Sequence, residues 1–119
     1  MKTSERATAN IRPLPERDRP VSERYRLAAE EWVTLDGAAR MLEAGKDIVL
    51  SQMIGRRSDM PVARAEREAK ASDEWRDYIA KMVKARTVAN RQKVEVEFLR
   101  MKFSEWVASD ANARAERKL

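Results

Sequence analysis

The chain of 119 residues contains no cysteine and no histidine. Those two absences together remove disulfides, thiolate nucleophiles, ordinary zinc sites, and serine–histidine or cysteine–histidine catalysis. Glycine and proline are nearly as scarce, at three and four residues, so the chain has few places to turn. Gly37, Gly45 and Gly55 are scattered and form no phosphate-cradling loop. No Asp/Glu cluster has the spacing of a calcium loop or a two-carboxylate site. Glu95 and Glu97, two apart, fall on different faces of a helix. No apolar run approaches the roughly 18 residues that span a bilayer, and the first residues lack the hydrophobic segment of a secretory signal. β-branched residues never alternate with period two over a useful length, so strands are unsupported. The expectation is a soluble, cytoplasmic, non-enzymatic protein that takes no metal, cofactor, small molecule or membrane.

What is present is charge, alanine and period. Charged residues make up 38% of the chain and aromatics only 6%, while alanine inflates the 43% hydrophobic fraction. Such a balance suits long, water-bathed helices around a thin core. From Trp75 to Trp106 an apolar or small residue returns every three, then four, positions: Trp75, Tyr78, Met82, Ala85, Ala89, Val96, Leu99, Phe103, Trp106. Only Gln92 interrupts this heptad seam with a polar side chain, the kind of substitution that fixes register. A second seam runs through Tyr25, Ala28, Trp32, Leu35, Ala39, Leu42, Val49 and Met53, interrupted by Lys46.

These patterns predict an all-α chain: a long antiparallel, coiled-coil-like helical hairpin with a short connecting helix. Residues 1–21, with Pro13, Pro15 and Pro20, read as a disordered or loosely docked tail. Residues 22–119 read as the helical domain, with a helix over about 23–57, a connector over 58–72 and a helix over about 73–114. Ser22 is the expected cap of the first helix, and Ser72 with Asp73 and Glu74 that of the second. Ser58, Asp59 and Pro61 mark the stop, and Val62 to Ala71 suit a short helix between. Gly45 marks an expected kink. Counting outward from the turn places Met53 near Trp75, Leu42 near Ala85, Ala39 near Ala89, Trp32 near Val96 and Tyr25 near Phe103. Trp106 then lies beyond the reach of the first helix's seam and should pack on the tail, the dimer partner or a bound protein. Gly37, Ala38, Ala39, Ala85 and Ala89 should gather at mid-length.

A second apolar row lies outside both seams. It comprises Val33, Met41, Ile48 and Ile54 on the first helix, and Ile79, Val83, Val94, Phe98, Met101 and Val107 on the second. One hairpin cannot cover it, so a homodimer forming a four-helix bundle is expected. Phe98, Met101 and Trp106 are the candidate residues of a partner interface.

The net charge of +5 is unevenly spread. Between Tyr78 and Val94 there is no acidic residue, whereas Lys81, Lys84, Arg86, Arg91 and Lys93 all fall inside. Arg86, Lys93 and Arg100 repeat every seven and face Asp36 and Glu43, also seven apart, in the antiparallel register. Lys84 and Arg91 point away from the seam. With Lys81 they are the candidate contacts to a nucleic-acid backbone. No aromatic lies between Tyr78 and Phe98 to stack on bases, which weighs against single-strand binding.

The stretches Leu35-Asp36-Gly37-Ala38-Ala39-Arg40-Met41-Leu42-Glu43, Phe98-Leu99-Arg100-Met101-Lys102-Phe103-Ser104-Glu105-Trp106 and Asn112-Ala113-Arg114-Ala115-Glu116-Arg117-Lys118-Leu119 carry a resemblance. Over Trp32 to Leu119 the chain resembles a group of short, uncharacterised helical proteins of tailed phages and prophages. Such proteins tend to be encoded among recombination and replication genes. The resemblance implies an accessory role there, docking a partner protein, DNA or both. It brings no catalytic or binding residues with it. A protein–protein adaptor, or an inhibitor of a host enzyme with no nucleic-acid contact, is the rival expectation.

Overall fold

A computed structural model describes residues 20–118 of the chain. These residues form three helices and no strand: α1 (Val21–Gly55), α2 (Val62–Ala71) and α3 (Asp73–Lys118). The expected tail falls almost wholly outside the described residues. No described helix is long and apolar enough to cross a membrane.

Prolines, rather than Ser22, open the first two helices. Pro20 sits in an extended conformation and its carbonyl accepts the first helical bond, from the Arg24 amide at 3.0 Å. Ser22 lies within the first turn and caps nothing. Pro61 repeats the arrangement for α2, accepting from the Ala65 amide at 2.9 Å. The fixed φ of proline already suits a helix start and leaves no amide to satisfy there. Ser72 is the expected cap of α3. Its hydroxyl accepts from the Trp75 amide at 3.2 Å and donates to the Ala69 carbonyl at 2.6 Å, closing α2 and opening α3 with one side chain.

The chain turns at the end of α1. Arg57 donates to the Met53 carbonyl at 2.8 Å, satisfying one of the acceptors that a helix end leaves open. Arg56 bridges to Glu74 at the start of α3, at 2.8 Å. Beneath this turn Met53 of α1, Ala69 of α2 and Trp75 of α3 are buried together, with Val49, Leu50, Ile54, Tyr78 and Ile79 packed around them. Ile54 and Ile79 therefore belong to the closed end, not to an exposed row.

Further along, contacts between α1 and α3 run in opposite chain directions. The Tyr78 hydroxyl reaches the Leu42 carbonyl, Arg86 reaches Asp36 and Glu43, and Gln92 Nε2 donates to the Ala28 carbonyl at 3.0 Å. Ala39 and Ala89 are fully buried at mid-length and Leu99 nearly so. Gly37 and Ala38, expected to gather with them, face outward instead. α1 runs through Gly45 without a break.

At the open end Phe103 and Trp106 line one apolar cavity with Pro20, Val21 and Ser22. Trp106 thus stands past the α1 seam and lies against residues 20–22, where the expected tail ends. Met53 and Trp75 share the buried cluster, as the count placed them, with Ala69 of α2 as its third member.

Candidate nucleic-acid and partner surfaces

The basic stretch of α3 divides into neutralised and free charge. Arg86 lies on the flank facing α1 and is shared by two carboxylates. Its Nη1 donates to Asp36 Oδ1 at 2.7 Å, its Nε to Glu43 Oε2 at 3.1 Å, and its Nη2 to Glu43 Oε1. Arg40 holds the other Asp36 oxygen at 2.8 Å. The hydrogen bonds from Arg86 hold both carboxyls below their ordinary range, and the two carboxylates hold the guanidinium firmly charged.

One arginine therefore takes both acids that three basic residues were expected to share. Lys93 turns instead over the Trp32 ring, with Nζ 6.0 Å from its centroid, at the outer edge of a cation–π contact. Arg100 is exposed and makes no ion pair with the described residues. The seven-residue spacing gave all three the same flank, but side-chain reach lets only the member midway between Asp36 and Glu43 bind both.

Lys81, Lys84 and Arg91 are exposed, and none makes an ion pair with a described residue. Lys84 and Arg91 stand in one column, seven residues and about 10 Å apart. Lys81 neighbours it three residues before Lys84. The column continues to Phe98, 48% exposed, whose ring carries Lys102 Nζ at 5.0 Å from its centroid. Met101 lies on the same outer side, 62% exposed. Two of the three partner residues expected from the sequence, Phe98 and Met101, thus share a face that also borders the free cations.

Trp106 does not share it. It lies five residues beyond Met101, more than a third of a turn round the helix. It stacks on Phe103 with ring centroids 6.1 Å apart. With Phe103, Pro20, Val21 and Ser22 it lines an apolar cavity of about 130 Å³. Its ring is still 57% exposed, so it rims this cavity without being buried in it.

A cleft between the helices was not foreseen in the sequence. Arg24, Leu27, Ala28, Glu31, Gln92, Glu95 and Leu99 line about 310 Å³ around the Gln92–Ala28 bond. Arg24 Nε is buried there without a hydrogen-bond partner among the described residues. The one available signal was Gln92 itself, a polar seam residue whose amide reaches the α1 backbone. Among the described residues no group of carboxylates could hold a metal ion. No protein-family model, curated protein or solved structure matches the chain.

Proposed function

We propose that the chain is a non-enzymatic accessory protein of the tailed-phage type, acting in the cytoplasm in or near DNA recombination or replication. It presents a rigid helical platform on which duplex DNA and a partner protein dock. One observation carries the reading: within a stretch of α3 devoid of acids, Arg86 is neutralised by α1 while Lys81, Lys84 and Arg91 are exposed with no carboxylate partner among the described residues. Free cations in a column at roughly 10 Å spacing suit phosphate contact along a backbone and read no sequence. The platform works as a homodimer in which two helical hairpins associate as four helices, because a single chain leaves a second apolar row uncovered.

A second reading takes the exposure of Phe98 and Met101 as its observation. In it the chain is a protein–protein adaptor, or an inhibitor of a host enzyme, with no nucleic-acid contact. Binding to labelled duplex and single-stranded DNA across a salt series separates the two. Duplex affinity that falls steeply with salt is expected from the first reading. No binding at ~50 mM salt, where such contacts are strongest, would leave the second.

A further inference from the structure

α1 carries two heptad rows on opposite sides. One faces α3. The other runs through Val33, Gly37, Met41, Ala44 and Ile48, and no described residue covers it: Val33, Met41 and Ile48 are 63%, 78% and 62% exposed. A Cβ built on Gly37 would meet nothing within 4 Å. Beside Ile48 the surface dips into a shallow groove lined by Asp47, Ser51 and Gln52.

Resting on the homodimer reading, we propose that two copies pair through this outer row of α1. They lie antiparallel about a two-fold axis that passes between Leu42 and Glu43. In that arrangement the two largest residues of the row each meet a small one, and Val33 lies opposite the partner's Gln52 at the margin. Met41 lies opposite the partner's Ala44, and Ile48 opposite the partner's Gly37, each contact occurring twice by symmetry. The flank matches in charge as well, because Arg40 comes beside the partner's Asp47. Arg40 is free to make this contact: its side chain is 74% exposed while it binds Asp36 of its own chain. Asp47 makes no ion pair with the described residues.

A parallel pairing lacks both matches. It sets Met41 against Met41, Ile48 against Ile48 and Gly37 against Gly37, alternating bulges with gaps, and takes Arg40 away from Asp47. The outer face of α3 is a poorer candidate, since Lys84 and Arg91 border it with like charge. The resulting dimer is a flat layer with the two α1 helices at its centre and an α3 on each edge. The column of Lys84 and Arg91 stays open on both edges.

Sedimentation equilibrium on the full chain at micromolar concentration tests this, with circular dichroism to confirm that each variant is helical. The unaltered chain should be a dimer. Asp47→Arg should weaken association at least about tenfold by placing Arg40 beside the partner's new cation. The double variant Arg40→Asp with Asp47→Arg, which reverses the pair, should restore it. Gly37→Leu should abolish the dimer while leaving helicity intact, because the added side chain has space in one chain but collides with the partner's Ile48. A dimer indifferent to Gly37→Leu and Asp47→Arg overturns this geometry and leaves the homodimer reading standing. A monomer, including one whose N-terminal residues cover the row, overturns both.

Discussion

The phenolic hydroxyl of Tyr78 donates to the main-chain carbonyl of Leu42, beside the spot where Gly45 leaves α1 bare. A carbonyl oxygen has two lone pairs, so Leu42 can accept this bond and still serve its own helix. The glycine that should have weakened α1 is the one that lets a side chain of α3 touch its backbone.

Adding a methyl at Gly45 brings two opposed effects. A Cβ there would stand 3.2 Å from the Tyr78 oxygen. The ordinary gain from replacing a mid-helix glycine by alanine, about 1 kcal/mol, should therefore be largely cancelled in Gly45→Ala. Tyr78→Phe should cost about 0.5–1.5 kcal/mol, as a lost hydrogen bond. In the Tyr78→Phe background the alanine gain should return. Urea unfolding of the four proteins gives the coupling directly, and additive effects would refute the contact.

Arg86→Ala should lower the melting temperature more than Arg26→Ala, although both remove an ion pair. The Arg26–Glu30 pair is exposed within one helix, whereas Arg86 ties α3 to two acids of α1. The same cluster sets a pH dependence. Asp36 and Glu43 are lowered chiefly by the hydrogen bonds from Arg86, so folding favours their ionised forms. Their contribution is full above the unfolded carboxyl range and is lost as pH falls through the lower folded values, below about pH 4. Thermal melts from pH 7 to pH 2 should show a smaller acid loss in Arg86→Ala than in the unaltered chain.

At the closed end Met53→Ala should cost about 2–5 kcal/mol and Trp75→Ala about 3–5, since both side chains are buried in the one three-helix cluster. Trp106→Ala should cost about 1 kcal/mol or less, the worth of its stack on Phe103. Denaturant unfolding measures all three. A large loss at Trp106 would mean that its exposed ring is covered in solution.

If α3 holds duplex DNA, Lys84→Ala with Arg91→Ala should weaken binding about equally for every sequence. The salt slope should flatten by roughly one per lost phosphate contact, with little change in stability. Fluorescence anisotropy with two unrelated duplexes is sufficient. Loss on removing Arg86 or Lys93 instead, with stability unmoved, would locate the contact on the flank that faces α1.

Periodicity made the helices and their burying faces legible. The burial of Ala39, Ala89 and Leu99 and the reach of Arg86 to Asp36 and Glu43 follow from spacing, while the α2 segment and the Ser72 cap follow from stop and capping residues. What spacing could not supply was level. A heptad count fixes which residues face a partner helix but not how far one helix slides along the other, and that slide depends on how bulky Trp75 and Met53 settle over Ala69. The outer row on α1 was legible as hydrophobic but not as self-matching, because Gly37 and Ala44 draw attention only once they are known to face away from α3.

The middle of the molecule is held by two methyl groups. Ala39 and Ala89 are fully covered there, so neither position has room for more than a methyl group. A rod does not absorb a local bulge; it pivots on it. A leucine at either position would act as a fulcrum, and the strain would appear at the ends of the lever, in the Tyr78 bond on one side and the Gln92 bond on the other.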